Sequence, residues 1–413
     1  MDLPVKPPPP ETTLLQDLRA LPGQYWILFS GTFVNRFGHF VIPFLAIYLR
    51  QEGHGAATTG MMMGSYGAGS LVAGLIGGYL ADRIGRKPTM LLSCAGSAMC
   101  MLLLSQVHAI PLMMVVVFST GLLAAIYSPA AGALIADLVP QHLRIRAFSC
   151  QRLALNLGFA LGMATAGFMA KHSFLALFIA DAATTLVLGV TVLIGIKPKT
   201  GLPRDRSGWA PAVAHMRANP RFKTALIASL LTGTVFWQMS SSYSLQTTEG
   251  AGLGESTYGL LMALNGLMIV FMELPLTSLT KRYDPTRLMA LGYSILGIGM
   301  GLNALGATLP VLVVSMVIFT VGEMIALPVN SSYMASLAPD EMRGRYQGVM
   351  SISWSASVIT GPFLGITLYQ VSPVLLWVAT LVVSWIAAAM MLGSREPVRV
   401  EEPERDAVLS SNE

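Results

Sequence analysis

Apolar residues run through this chain in long blocks, and polar residues collect between the blocks. A helix that is apolar on all sides faces a large protein interior or lipid. Crossing a hydrocarbon layer of ~30 Å at ~1.5 Å per residue takes about 20 residues. By that measure the pattern predicts twelve helical spans, at 25–49, 57–80, 88–108, 110–136, 148–170, 173–196, 224–246, 256–280, 287–307, 309–337, 346–369 and 372–393. The opening MDLPVKPPPPETTLLQDLRAL sets prolines and acids ahead of the first span and holds no cleavable apolar core, so residues 1–24 read as a disordered cytoplasmic arm rather than a leader.

Composition decides between interior and lipid. The 413 residues are 54% apolar and 11% charged, against about 25% charged in a soluble domain. Such a chain cannot coat itself with polar surface, so much of its surface is expected in a bilayer. The net charge of +5 then reports topology, not a nucleic-acid partner. With the N-terminus inside, only Arg50 and Lys171 fall in outer loops and Arg36 within a span; every other one of the 26 Lys and Arg residues lies inside or at an inner helix end. Short-loop Lys and Arg are retained on the cytoplasmic side, so both termini are expected there. Cys94, Cys100 and Cys150 have no metal-ligand spacing and read as small apolar residues.

Segment 197–223 divides the chain six spans from six. It carries seven basic residues and one Asp, with prolines that prevent one continuous helix; it reads as a basic connector facing anionic headgroups. The expected organisation is an arm (1–24), a six-helix bundle (25–196), this linker (197–223), a second bundle (224–394) and an acidic tail (395–413). The bundles repeat each other. ADLVPQHLRIR at 136–146 aligns with ASLAPDEMRGR at 335–345 without gaps, and at the same offset Pro129 falls on Pro328 and Gly162 on Gly361. Parallel six-span repeats place a substrate between the halves near mid-membrane.

The loop after span two reads GGYLADRIGRKPTM. Its Gly78-x-Leu80-Ala81-Asp82-Arg83-x-Gly85-Arg86-Lys87 resembles the signature loop of the major facilitator superfamily. With the repeat, the resemblance covers about residues 25–393. Physically, Gly77 and Gly78 allow close helix approach, Gly85 allows a tight turn, and Asp82 at a helix end can pair with Arg83 or Arg86. The resemblance implies that this cluster clamps the halves together on the cytoplasmic face, with Asp137 as its acidic partner. The plain alternative is a positive-inside loop with helix caps. The second-half counterpart, PLTSLTKRYDPTRLM at 275–289, lacks the glycines and the Asp-Arg pair.

Charges buried in a bilayer are costly and mark functional candidates. Arg36 lies mid-span with Asn35 beside it and His39 one turn on; Glu323 in span ten lies at a similar depth, which allows an Arg36–Glu323 interaction. A carboxyl withdrawn from water holds its proton more tightly, so Glu323 is the leading proton carrier, ahead of Glu273 in span eight and Asp181 in span six. Asp181 has a structural reading as a hydrogen-bond acceptor within the first bundle, and Arg152 reads as a snorkelling or gate residue. Trp237 and Gln238 in span seven, with Tyr127 and Asn330, are cavity-wall candidates or ordinary packing. Pro129 and Pro328 are expected to bend spans four and ten, and Gly361-Pro362 carries the Gly-Pro pair of span eleven.

Within the superfamily the chain is most similar to twelve-span bacterial drug:proton antiporters, with two departures: Val117 stands where their fourth span carries Arg, and Gly162-Met163 replaces their Gly-Pro pair. The resemblance implies a monomeric secondary transporter of the bacterial inner membrane that moves an amphipathic small molecule against protons and needs no cofactor beyond the proton gradient. The alternative is a symporter or facilitator for a sugar, organic anion or small peptide, with Arg36 as anion anchor. A third reading, a scaffold that keeps the fold without transport, is disfavoured by the intact gate loop. No nucleotide loop, metal spacing or nucleophile constellation indicates an enzyme. If the loop gates, Asp82→Asn is expected to abolish or greatly reduce flux in proteoliposomes while the protein still inserts and folds; normal flux from well-expressed protein removes the gating role.

Overall fold

The computed structural model describes residues 18–140, 143–197, 209–280, 283–339 and 343–394. The start of the arm, linker residues 198–208, the tail from 395, and the side chains of a few helical residues including Gly78 and Asp82 lie outside the description. Every described element is helical. In chain order they are α1 (Gly23–Phe37), α2 (Val41–Gln51), α3 (Ala56–Arg83), α4 (Arg86–Leu104), α5 (Ile110–Leu138), α6 (Arg144–His172), α7 (Phe174–Gly195), α8 (Trp209–Ala218), α9 (Pro220–Phe236), α10 (Ser242–Leu245), α11 (Gly254–Thr280), α12 (Pro285–Gly301), α13 (Leu309–Ser336), α14 (Arg343–Val371) and α15 (Pro373–Gly393). Among the described residues ten helices, with α1 and α2 taken together, are long and apolar enough to cross a membrane. The segments expected as spans two and seven are helical (α3, and α9 with the short turns after it) but are not among those ten. Large apolar side chains project outward from the surface helices, Ile194 80% exposed and Phe271 73%, as lipid requires and water would penalise.

Two expected spans are broken. Residues 25–49 are not one helix: α1 stops at Phe37 and α2 restarts at Val41. The cause is legible in Gly38 and Pro43, since Pro43 has no N–H for the His39 carbonyl and its ring would press on that carbonyl. Span seven breaks likewise after Phe236, passing through a 3₁₀ turn at Trp237–Ser240, the short α10 and a π turn at Gln246–Gly250. By contrast α5 and α13 run through Pro129 and Pro328, and α14 through Pro362.

The internal repeat extends to details of packing. Ser173 caps α7 by accepting from the Ala176 N–H, and Ser372 caps α15 by accepting from the Leu375 N–H, both at 3.3 Å. The helices before the linker pack chiefly on one another, as do those after it, and two seams join the groups: α3 against α14, and α6 against α11. A Cβ on Gly67 would meet the Ile359 backbone N at 2.7 Å, and one on Gly266 would meet the Ala160 Cα at 3.0 Å. These contacts are repeat equivalents, so both seams close by the same small-residue device. At the end of the molecule away from the chain termini, Arg50 donates to Glu249 through Nε (2.8 Å) and a second nitrogen (3.3 Å), a pair 199 positions apart.

That ion pair is partly solvated, its side chains 26% and 40% exposed, and exposed pairs contribute about 0–1 kcal/mol. Forcing volume into a packed seam costs about 1–3 kcal/mol. Overfilling the seam is therefore expected to disturb the closure more than loss of the ion pair. In a protein whose three native cysteines are replaced by alanine and whose Ser256, at the seam, is replaced by cysteine, Gly266→Val is expected to speed maleimide labelling in detergent by roughly tenfold, with Glu249→Gln having a smaller effect. Equal labelling rates in all three backgrounds would contradict this ordering.

Candidate functional site

The break in the first span organises one polar cluster. The backbone N–H groups of Phe40 and Val41, freed at the start of α2, both donate to the Asp181 carboxylate of α7 at 3.1 Å. A carboxylate at a helix N-terminus satisfies donors that have no intrahelical partner. Asn35 on α1 donates to Thr185 one turn along α7 at 2.9 Å, which fixes the rotation of α1 and presents Arg36 and His39 inward. The result is a cavity of about 560 Å³, enclosed by helices of the first half. Its deep wall is polar: Asn35, Arg36, His39, Tyr66 and Asp181. Towards the end that carries the termini it is lined by Ala131, Gly132, Ile135, Phe148, Gln151 and Leu155. Ser128, Phe148 and Arg152 are exposed although they line it, so the cavity opens at that end. Tyr127, another wall residue, lies 3.4 Å from the Thr32 hydroxyl.

A second cluster occupies the other half. Glu323 on α13, 9% exposed, accepts from the Asn265 amide at 2.8 Å, and the same amide nitrogen lies 3.0 Å from the Thr320 hydroxyl. Glu323 is within electrostatic reach of Glu273 and Arg152. Arg152 on α6 bonds Glu273 on α11 at 2.5 Å, an ion pair that bridges the two groups of helices on the open side. The allowed Arg36–Glu323 contact is not formed: among the described residues Glu323 belongs to the Asn265 cluster and Arg36 to the Asp181 cavity.

Two cavity-wall candidates are placed elsewhere. Gln238 is buried at the break in span seven, where its amide donates to the Gly361 carbonyl at 2.7 Å and accepts from Ser242 at 2.8 Å. Asn330 is buried and accepts from Ser229 at 2.9 Å, tying α9 to α13. Both satisfy polar groups inside the second half, as a low-dielectric interior demands. Trp237 is half-buried against Gly361, and Gly162 packs on Phe37 beside the first break, as Gly361 does beside the second. Asn265 and Gln151 went unnoticed as site residues; Asn265 is an isolated amide in an apolar span, which was the available signal, whereas Gln151 stands beside Arg152 near the start of its span.

At the loop after α3, Gly85 has φ +98°, a conformation in which a Cβ is strained. Arg86 pairs with Asp137 of α5 at 3.5 Å. Lys87 donates to the Leu193 and Ile196 carbonyls at 2.7 Å, a cation closing the C-terminus of α7. Arg83 donates to Tyr79 at 3.3 Å and is exposed. Gly78 and Asp82 lie in the last turns of α3, their side chains outside the description.

The chain is similar to known membrane proteins. The chain is 24% identical to a Na(+), Li(+), K(+)/H(+) antiporter of Planococcus maritimus over 80% of this chain and 85% of that one. It is 23% identical to the quinolone resistance protein NorA of Staphylococcus aureus over 84% and 90%. The solved nucleoside transporter NupG superposes with a TM-score of 0.78 at 14% identity, covering 91% of this chain and all of that one, which is a likeness of fold. The family model of the Major Facilitator Superfamily matches residues 28–254 and 245–411, and with the broken first helix, the paired seams and the loop after α3, the chain belongs to that superfamily of multi-pass membrane transporters.

Proposed function

We propose that the chain is a twelve-span, proton-coupled antiporter of a bacterial inner membrane that exports amphipathic small molecules by alternating access, with both termini in the cytoplasm. The observation that carries the reading is the Glu323–Asn265 cluster beside the Arg152–Glu273 bridge. A buried carboxyl next to an ion pair that joins the two halves gives protonation a lever on the opening of the cavity: a charge change on Glu323 alters the field at Arg152 and Glu273, and that pair holds one seam together. The two states then differ in proton affinity, which is what coupling requires. The relatives named as an antiporter and a quinolone resistance protein support the direction and substrate type. In this reading α3 and the broken span seven also cross the bilayer, their polar and small residues turned to the seams. The loop with Arg86 and Asp137 braces the cytoplasmic end, and the protein works as a monomer without cofactor.

A second reading is favoured by one observation. The polar deep wall around Arg36 suits a symporter or facilitator for a hydrophilic metabolite, and the fold is shared with a nucleoside transporter.

Flux in proteoliposomes with and without an imposed pH gradient separates the two readings: counterflow of protons and substrate supports antiport, and movement in one direction supports symport. Glu323→Gln is expected to lose accumulation driven by the pH gradient while keeping downhill exchange, because the amide preserves shape and loads no proton. A Glu323→Gln protein that accumulates substrate with the wild-type pH profile places the proton site elsewhere, and Glu273 is then tested in the same way.

A further inference from the structure

We propose that the first-half cavity binds the transported molecule by a carboxylate, held at Arg36, with its apolar body lying toward the open end. The inference deepens the transport reading and rests on it. Arg36 stands in the middle of a membrane-spanning segment, where an unpaired charge is costly. Yet among the described residues no carboxylate lies within ion-pairing distance of it. The nearest acid on the cavity wall is Asp181, and its carboxylate is committed to the Phe40 and Val41 N–H groups. The other charged and titratable groups facing Arg36 are Tyr66 of α3 and His39 beyond the helix break. Neither supplies a negative charge near neutral pH. Arg152, the second cation on the wall, is paired outward with Glu273. The cavity therefore presents one guanidinium with no direct ion-pair partner among the described residues, Asp181 acting on it only at longer range.

Two orphaned atoms line the same cavity. The Arg36 Nε and the Gln151 Oε1 are each buried without a hydrogen-bond partner, and both residues line the cavity. A planar guanidinium takes a carboxylate through two parallel bonds, and the Gln151 oxygen takes an N–H or O–H donor on the same molecule. The wall then changes character along its length: beyond this polar floor come Ala131, Gly132, Ile135, Phe148 and Leu155, and the mouth. A volume of about 560 Å³ lies within the roughly 300–1,000 Å³ typical of small-molecule sites. The ligand that satisfies every part is a small amphipathic acid with a hydrogen-bond donor on its body.

The test is equilibrium binding to the purified full-length protein in detergent. The probes are 4-hydroxybenzoate, salicylate, indole-3-acetate and octanoate, each beside its uncharged amide, with tetraphenylphosphonium as a cation. At least one acid is expected to bind the wild-type protein roughly tenfold or more tightly than its amide. Arg36→Gln is expected to erase that preference and Arg36→Lys to retain part of it. The acid-to-amide ratio of the wild-type protein needs no variant, so a misfolded Arg36→Gln protein does not shield the proposal. Equal binding of acids and amides, a preference that survives in folded Arg36→Gln, or binding of tetraphenylphosphonium with no acid bound would overturn it. Proton-coupled flux of a cation without any acid binding would remove this inference and leave the transport reading intact. Acid binding without proton coupling would do the reverse.

Discussion

Two backbone hydrogen bonds to one carboxylate set the geometry of the first half. A helix interrupted inside a bilayer frees N–H groups that lipid cannot satisfy, and Asp181 takes those of Phe40 and Val41. With that contact in place, α1 can end at Phe37 without an unsatisfied interior. Arg36 and His39 then sit at the end of one helix and in the gap before the next, and need not be wrapped inside a continuous one. The same contact holds the carboxylate on the backbone, out of direct ion-pairing distance of Arg36, while its charge still acts on the guanidinium.

The second half meets the same requirement differently. The break at Trp237–Ser240 falls at the repeat equivalent of the break after Phe37, but its polar groups are met by Gln238, which bonds Gly361 and Ser242. An amide that accepts and donates closes the gap internally and leaves no charge exposed. The divergence extends to the cavity floor. Glu323 and Asn265 stand at the repeat positions of Ala124 and Tyr66, both of which line the first-half cavity. Where the first half has a methyl group and open space, the second has a carboxyl and a filled, hydrogen-bonded cluster. One repeated arrangement thereby carries two different fillings: an open space in the first half and a buried, hydrogen-bonded acid in the second.

Much of this was legible in the sequence because it rests on local rules. The apolar blocks, the repeat of Pro129 on Pro328 and of Gly162 on Gly361, and the loop with Asp82 and Gly85 depend on residue type and spacing alone, and the superfamily follows from them. The break after Phe37 was also written locally, in Gly38 and Pro43, but the long apolar run from Val41 to Leu49 hid it under a single span. What spacing could not show was partnership across helices. Arg36 and Glu323 lie at similar depth, yet depth says nothing about which face each presents, and the fold sends them to different clusters. Gln238 and Asn330 are polar residues at the right level of the membrane that turn out to be consumed by their own half. The converse error, overlooking Asn265 and Gln151, has the same origin, since an amide is informative only once its neighbours are known.

The seams carry the last asymmetry, and it links the two fillings. From Gly67 and Gly266 outward both seams close by glycine against backbone. Further toward the open end they part company. On one side Arg152 and Glu273 meet at 2.5 Å. On the other, the repeat-equivalent Gly74 has nothing within 4 Å of where a Cβ would stand, and Ser351 is exposed. The ion pair across the open end has an acid that lies within reach of Glu323 and a base that lines the cavity. In the proposed reading a proton on Glu323 and a ligand in the cavity act on this pair from opposite sides, so that each alters the affinity for the other by the same factor.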